Sequence, residues 1–183
     1  FVRRRGEQGD PRKVFSHSVT SSPSVVFMFP GGGAQYPNMA RRLYEQEAVF
    51  REHVDRGLKH LATRVPHDPR ALLFPKPEDK AQAAVTLEQP SLQLPLIFIV
   101  EYALAQLWMA WGVKPAALIG HSVGENTAAA VSGVIGFEDG IDLVLLRGQL
   151  FDEVPAGCML SVPLSESELR PHFGYDLDLA CVN

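Results

Sequence analysis

The sequence contains little cysteine and little excess charge, and both shortages narrow the range of functions. Its 183 residues include two cysteines, and the formal net charge is -4. Cys158 and Cys181 are not spaced like metal ligands, so we predict no bound metal. We expect both to be small buried side chains in a reducing, cytoplasmic setting. Because the chain is not basic, nothing favours binding to nucleic acid or to an anionic membrane surface.

The sequence also lacks an uninterrupted apolar run long enough to cross a membrane. The segment 92–111 comes nearest, but four residues within it are costly in lipid: Gln93, Pro95, Glu101 and Gln106. We therefore predict a buried core helix, with Pro95 in its first turn and Gly112 at its end. A hydrophobic content of 46% is enough for a sizeable core.

Apolar strand patterns alternate with helical patterns along most of the chain, which predicts an α/β fold around a mainly parallel sheet. The runs Val25–Phe29 and Ala116–Ile119 predict strands, and we expect the first to be buried on both faces. A loop with a short helix or two is predicted over residues 66–85. The longer predicted helices cover residues 38–64, with the apolar stripe Phe50, Val54, Leu58 and Leu61, and residues 91–111, 124–134 and 138–152.

The pattern changes after residue 157 and predicts a second, smaller subdomain. Met159–Val162 and Leu177–Val182 read as strands, and a helix between them begins at Ser165, with Glu168 completing a capping box. One β-α-β unit of this size lacks the partner half of a split β-α-β domain. We therefore predict a linker over 1–22, an incomplete large subdomain over 23–156 and the start of a small one over 157–183.

The pentapeptide Gly120–Gly124 is the strongest chemical signal in the sequence. It has the form Gly-x-Ser-x-Gly and lies between a predicted strand and a helix. A nucleophilic serine needs this order, because the sharp turn projects its hydroxyl above the sheet and the helix N-terminus stabilises an oxyanion. Ser122 is therefore the predicted nucleophile.

An oxyanion hole requires two hydrogen-bond donors close to this serine. The backbone N–H of Val123 is the first candidate, because it follows the nucleophile. The glycine-rich loop after the first strand, 31–35, is the candidate for the second, since glycine allows close approach of the backbone. The alternative for this loop is a phosphate cradle, but it lacks the Lys-Ser/Thr pair of a P-loop and the Gly-x-Gly-x-x-Gly spacing.

Arg147 is the second residue with a predicted chemical role. Helical rotation places it near the apolar side of its helix, about 140° from Asp142. No acid in this segment is well placed to pair with it, so a substrate carboxylate held by the guanidinium is one interpretation. A structural arginine whose charged end reaches solvent is an equally good one on spacing alone.

The sequence offers no convincing general base for Ser122. His53 and His60 are expected to be solvated on a helix face and His67 in a loop, while the side chain of His121 should point away from the serine. His17 and His172 lie in the predicted linker and the second subdomain. A serine without a base is a poor nucleophile, so we expect the base to lie beyond residue 183 or the isolated chain to be inactive.

Together these motifs resemble the acyltransferase domain of modular polyketide synthases and the related malonyl-CoA:acyl-carrier-protein transacylases. The likeness covers nearly the whole chain. Phe29–Gln35 is similar to the family's Phe-Pro-Gly-Gln-Gly-Ala/Ser-Gln opening, and Gly120–Glu125 has the full Gly-His-Ser-x-Gly-Glu signature. The other matching positions are Glu88-Gln89-Pro90, Arg147 and Asn183, the last in a Val-Asn element. Gly32 replaces the usual glutamine but keeps the backbone N–H.

The resemblance implies an α/β hydrolase-like core with the first half of a small ferredoxin-like subdomain. It also implies ping-pong transfer of a malonyl-type unit from acyl-CoA, through Ser122, to the phosphopantetheine of an acyl carrier protein, with no cofactor bound by the domain itself. Val123 and Gly32 would form the oxyanion hole. The implied substrate site consists of four residues: Arg147, Gln89, His121 and Asn183.

The resemblance further implies partners and a preferred substrate. The expected partners are the carrier protein, a ketosynthase domain of the same polypeptide and the remainder of the acyltransferase domain. Residues 1–22 would be part of the linker that joins the ketosynthase domain to this one. Val123 is more similar to malonyl-selective members than to methylmalonyl-selective ones. The alternatives are a serine esterase or thioesterase of the α/β-hydrolase type and a catalytically incomplete piece that only docks partner domains.

Overall fold

The computed structural model describes residues 24–155, 157–174 and 177–182. The predicted linker over 1–22 and the predicted site residue Asn183 lie outside these ranges. The chain divides into two compact units, Phe1–Glu153 and Val154–Asn183, and each is described by itself.

The first unit contains a parallel pair of strands and seven α-helices within its described residues. The strands are β1 (Val25–Phe29) and β2 (Pro115–Gly120). The helices are α1 (Arg41–Gln46), α2 (Ala48–Leu61), α3 (Pro69–Leu73), α4 (Lys80–Thr86), α5 (Pro90–Ala110), α6 (Val123–Val131) and α7 (Phe137–Glu153), and a 3₁₀ turn covers Pro77–Asp79. The α/β class, both strands and the short helices predicted within 66–85 are confirmed.

The two strands pair in parallel with one register from Val26 to Phe29, after a shift at Val25, so their carboxyl ends lie side by side. Phe29 is opposite Gly120, and Met28 is opposite Ile119. The prediction that β1 is buried on both faces was wrong, because Val26 is 49% exposed and Met28 is 75% exposed. The reason is architectural: in the described part of the chain, α6 is the helix that packs on both strands, and a single layer covers one face of a sheet.

Helix α5 forms the centre of the core, as the sequence predicts. It packs against α2, α6 and α7, and its side chains Leu96, Phe98 and Ile99 are fully buried. The helix is long and apolar enough to cross a membrane by length and composition, but 61% of its most apolar stretch is buried within the protein. It is therefore a core helix of this unit.

The predicted ends of α5, residues 91 and 111, both lie within one residue of the observed ends, Pro90 and Ala110. Gly112 follows the helix with a φ of 88°, the left-handed conformation that ends many helices. At the other end the helix begins one residue before the predicted start, with Gln89 as N-cap and Pro90 in the first turn. Proline is favoured there because its missing N–H has no helical partner. Pro95 lies five residues after the first helical residue, inside the helix, so its predicted placement in the first turn was wrong.

The long helix predicted over 38–64 is broken at Glu47, which has extended backbone angles (φ -110°, ψ 110°). The break lets α1 turn back on α2, so that the Tyr44 hydroxyl donates to Asp55 Oδ1 at 2.7 Å. Arg70 also reaches this Asp55 oxygen, at 2.5 Å. The apolar stripe of α2 is buried as predicted.

Helices α5 and α7 cover part of the polar side of α2, and these contacts correct the prediction for two histidines. His60 Nε2 lies 2.8 Å from Asp142 Oδ1, and its side chain is 16% exposed. His53 Nδ1 is buried without a hydrogen-bond partner, and the ring meets the Tyr102 ring edge-on at 5.6 Å. Neither side chain is solvated as predicted, because tertiary packing covers this face. Burial lowers the pKa of His53.

The described residues of the second unit form a short helix, α8 (Glu166–Leu169), continued by a 3₁₀ turn to His172. The capping box is confirmed: Ser165 Oγ accepts from the Glu168 N–H, and Glu168 accepts from the Ser165 N–H. The predicted strands at 159–162 and 177–182 are not formed, because no described strand pairs with either one. Cys158 and Cys181 are consequently exposed rather than buried.

Candidate active site

The turn between β2 and α6 holds Ser122 in a strained conformation. Ser122 has φ 54° and ψ -116°, angles that residues with a side chain rarely adopt. The His121 N–H donates to Phe29 O at 3.0 Å, and the Gly124 N–H donates back to His121 O at 3.0 Å. Backbone strain that the surrounding structure enforces is typical of a functional residue. The structure thus bears out the local geometry that the Gly-x-Ser-x-Gly pattern predicts.

Two glycines make this turn possible through close backbone approach. A Cβ on Gly120 would lie 2.2 Å from the carbonyl carbon of Gly124, and a Cβ on Gly124 would lie 2.2 Å from the Phe29 carbonyl oxygen. Real Cβ atoms do not come this close to backbone atoms. The two glycines therefore let the first turn of α6 pack against the ends of β1 and β2. The N-terminus of α6 consequently lies at Ser122.

The glycine-rich loop after β1 lies against the nucleophile turn. A Cβ on Gly31 would be 3.2 Å from Ser122 Cβ and 2.9 Å from His121 Nδ1. Within the loop, the Gly33 N–H donates to Gln35 Oε1 at 2.9 Å. The loop and the serine meet because β1 and β2 are parallel neighbours that end at the same edge of the sheet. The sequence-predicted oxyanion loop is therefore adjacent to Ser122.

The start of α6 provides the other part of the predicted oxyanion hole. Val123 is the first residue of the helix, and its side chain is fully buried. The first N–H groups of a helix have no acceptor within it, and they carry partial positive charge. The Val123 N–H at the nucleophile turn is thus a candidate donor to an oxyanion, together with the loop residue Gly32.

Gln93 is a site residue that the sequence reasoning missed. Its amide oxygen would be 3.0 Å from a Cβ on Gly32, so the half-buried Gln93 side chain lies directly over the loop. The predicted residue Gln89 is exposed at the N-cap of α5, one turn earlier. Gln93 could have been identified from the sequence, because it is a polar residue near the start of an otherwise apolar helix.

Arg147 projects from α7 onto α6. Its guanidinium is half-buried, and Nη1 donates to the side-chain oxygen of Asn126, one helical turn after Ser122. In the described part of the chain Arg147 has no acidic partner. Asn126 was not predicted, because the partner of an arginine 21 positions away depends on how two helices pack.

The start of α5 and the end of α7 are in backbone contact beside Arg147. A Cβ on Gly148 would lie 2.4 Å from the Pro90 carbonyl oxygen, so the helices approach as closely as glycine allows. This contact brings the first turn of α5, with Gln89 and Gln93, to the side of α7 next to Arg147. Residues from four segments, 31–35, 89–93, 120–126 and 147–148, therefore converge around the nucleophile turn.

None of the histidines that the structure describes is hydrogen-bonded to Ser122. His60 is bound to Asp142, and His53 packs on Tyr102. His121 is exposed, with its ring over Gly31. The described residues thus provide a candidate nucleophile and candidate oxyanion donors, but none of the described histidines is bonded to Ser122 as a proton acceptor would be.

One buried acid lies behind the site. Glu101 of α5 accepts a 2.6 Å hydrogen bond from Thr127 Oγ1 of α6, and its second oxygen is buried without a partner. Burial raises the pKa of Glu101 to about 7, an effect that the bond from Thr127 partly opposes. Glu101 joins α5 to the helix that begins at the nucleophile.

Comparison with known proteins identifies the family to which this arrangement belongs. The family model described as acyl transferase domain matches residues 26–183. The chain belongs to the acyl transferase domain family. The match includes every described residue of the predicted site, from the glycine loop to Arg147.

Similar proteins include large polyketide synthases. This acyl transferase chain is 36% identical over 178 residues to a phenolphthiocerol/phthiocerol polyketide synthase protein of Mycobacterium tuberculosis, covering 97% of the chain and 11% of the relative. It is 34% identical over 180 residues to the spectinabilin polyketide synthase system protein NorB of Streptomyces orinoci, covering 96% of the chain and 8% of the relative. The acyl transferase chain thus spans about a tenth of these proteins.

Solved acyltransferase structures share the fold. The acyl transferase domain of ZmaA is 42% identical with a TM-score of 0.80, covering 90% of this chain and 38% of that one. An acyl carrier protein S-malonyltransferase from Vibrio cholerae is 34% identical with a TM-score of 0.63, covering 74% of this chain and 42% of that one. These similarities confirm the α/β acyltransferase fold that the sequence motifs indicate.

Proposed function

We propose that this chain carries the nucleophile, oxyanion hole and carboxylate anchor of an acyltransferase that moves a malonyl-type unit from acyl-CoA to the phosphopantetheine thiol of an acyl carrier protein. The observation that carries the proposal is Ser122 at positive φ beside the Gly31 loop, with a half-buried Arg147 that lacks an anionic partner among the described residues. Family membership supports the class of reaction.

In the first half-reaction, Ser122 Oγ attacks the thioester carbonyl carbon while a base accepts the hydroxyl proton. The backbone N–H groups of Val123 and Gly32 donate to the oxygen that becomes negative. The carbon–sulfur bond then breaks, and the CoA sulfur leaves with the proton from the base. An ester of Ser122 remains.

In the second half-reaction, the carrier-protein thiol gives its proton to the same base. Its sulfur attacks the Ser122 ester, the bond from carbon to Oγ breaks, and the serine regains the proton. Because none of the described histidines is hydrogen-bonded to Ser122, we infer that the base comes from outside the residues that the structure describes.

Arg147 gives the site its preference for an acyl group with a free carboxylate. An arginine binds a carboxylate through two parallel N–H donors, and a half-buried guanidinium without a counter-charge favours such a ligand. By the family resemblance we also assign Gln89, His121 and Asn183 to substrate binding. Val123 beside the nucleophile supports malonyl rather than methylmalonyl as the group transferred.

The partners follow from the proposed reaction. A carrier protein must present the acceptor thiol, and a ketosynthase domain of the same polypeptide would use the loaded unit. The similarity to polyketide synthases supports both partners and a cytoplasmic location. The domain needs no bound cofactor for this chemistry, because CoA and phosphopantetheine enter as parts of the substrates.

The test is transfer from malonyl-CoA to a holo acyl carrier protein by the full-length protein. We expect malonyl-carrier protein to accumulate, and Ser122→Ala to abolish it. Release of free malonate without transfer, unaffected by Arg147→Ala, would instead identify an esterase of the α/β-hydrolase type and would overturn the proposal.

A further inference from the structure

The described hydrogen-bond partner of Arg147 is an uncharged side chain, which leaves the positive charge of the guanidinium uncompensated. Asn126 Oδ1 accepts from Arg147 Nη1, and no described acid contacts the guanidinium. Elsewhere in the first unit the arginines at comparable helix contacts are paired with acids: Arg56 with Glu138 at 2.5 Å and Arg64 with Asp142 at 2.5 Å. Arg147 is thus oriented without being neutralised.

The position of Asn126 relative to the nucleophile links this contact to the reaction. Asn126 lies on α6 four residues after Ser122, and one turn of helix rises about 5.4 Å. The Asn126 contact therefore holds the guanidinium about one helical turn along α6 from the nucleophile. The remaining N–H donors of Arg147 have no partner among the described residues and are available to a ligand.

We infer that Asn126 is a positioning residue that holds the Arg147 guanidinium for the carboxylate of a malonyl-type acyl-CoA while leaving its positive charge uncompensated. The inference rests on the proposed function and deepens it. An acid at this position would compete with the substrate carboxylate for the same guanidinium. An apolar residue would leave the long arginine side chain without a partner, and its rotamer freedom would have to be lost on binding.

The test compares malonyl-CoA with acetyl-CoA, which has no free carboxylate, as donors for acyl transfer to a holo acyl carrier protein by the full-length protein. Asn126→Asp is the decisive variant, because it keeps the shape of the side chain and adds a negative charge. We expect it to raise the KM for malonyl-CoA about tenfold or more, to leave kcat for malonyl-CoA nearly unchanged and to leave acetyl-CoA kinetics as they were. Asn126→Leu should raise the same KM by a smaller factor.

This split between KM and kcat separates positioning from a structural role. An interaction made equally in the ground state and the transition state changes KM alone. A general disturbance of α6 would instead lower kcat for both substrates, because Ser122 and Val123 begin that helix. Gln149→Ala, which removes an exposed amide two residues from Arg147, is the matched control and should match the wild type for both substrates.

The outcomes distinguish the inference from the proposed function. If Arg147→Ala loses the preference for malonyl-CoA while Asn126→Asp keeps it, the inference is wrong and the proposed function stands. If Asn126→Asp lowers kcat equally for both substrates, Asn126 is structural and the inference is also wrong. If Arg147→Ala itself keeps the preference, the carboxylate anchor of the proposed function fails.

Discussion

At the scale of single residues, Ser122 and Glu101 are held in states that an isolated side chain would avoid. Ser122 adopts a positive φ, and Glu101 is buried with one carboxyl oxygen unbonded. Such states persist only where surrounding structure enforces them. For Ser122 the enforcement comes from the close backbone approach at Gly120 and Gly124. For Glu101 it comes from the apolar packing of α5, with Thr127 as the one hydrogen-bond partner described.

Glu101 makes the stability of this unit depend on pH. Its pKa is about 7 in the folded protein, above the ordinary value of 4.5. Between these values the folded form keeps a proton that the unfolded form has released. The free energy of unfolding should therefore fall as pH rises from 4.5 to 7, by about 3 kcal/mol in total, and then level off.

Glu101→Gln tests this directly, because glutamine stays neutral at every pH. The unfolding free energy of the variant and of the wild type is measured with urea at several pH values between 4.5 and 7. We expect the decrease that Glu101 causes in the wild type over this range to be absent from the variant. An unchanged slope would show that Glu101 ionises in the folded protein near its ordinary pKa, well below 7.

At the scale of elements, the contact between α5 and α7 supports the placement of Arg147. A Cβ on Gly148 would lie 2.4 Å from the Pro90 carbonyl oxygen, so any side chain here must push the two helices apart. Overpacking of this kind typically destabilises by about 1–3 kcal/mol. The displaced helix would carry Arg147 with it.

Gly148→Ala should therefore lower the free energy of unfolding in urea by about 1–3 kcal/mol. It should also raise the KM for malonyl-CoA by a larger factor than the KM for acetyl-CoA. Both quantities can be measured on the full-length protein, with the exposed position Gln149→Ala as the control on the same helix. Equal effects on the two substrates would show that the α5–α7 contact does not position Arg147.

Elements set by local pattern were predictable from sequence. The apolar stripe of α2, the Ser165–Glu168 capping box and the strand-turn-helix around Ser122 each depend on residues within a few positions of one another. The break at Glu47 and the Asn126–Arg147 bond depend on packing between separate helices, which local pattern does not encode. The strands expected at 159–162 and 177–182 illustrate the same limit, since a strand requires a partner.

At the scale of the whole molecule, the site draws together residues far apart in the chain. Gly31, Gln93, Ser122 and Arg147 come from four separate elements, and the parallel pairing of β1 with β2 brings the first and third together. In open α/β sheets, ligands bind outside the carboxyl ends of the strands. The α/β class could be predicted from alternating patterns, and the site's location at this sheet edge follows from it.

The sequence motifs singled out Ser122, the glycine loop and Arg147 as candidate site residues, but not the side chains that the structure places beside the loop and the arginine. Gly-x-Ser-x-Gly is a local pattern with a mechanical reason, so it could be recognised without a structure. Gln93 and Asn126 are ordinary polar residues within helices, and their places beside Gly32 and Arg147 became evident only from helix packing.

The central claim is that Ser122 becomes an ester of a carboxylate-bearing acyl group anchored by Arg147. The most direct measurement is peptide mass spectrometry of the full-length protein after brief exposure to malonyl-CoA. We predict a malonyl group on the peptide containing Ser122, none in Ser122→Ala, and a large loss of labelling in Arg147→Ala at limiting malonyl-CoA with acetyl-CoA labelling unchanged. A malonyl group on another residue, or undiminished malonyl labelling of Ser122 in Arg147→Ala, would contradict the account.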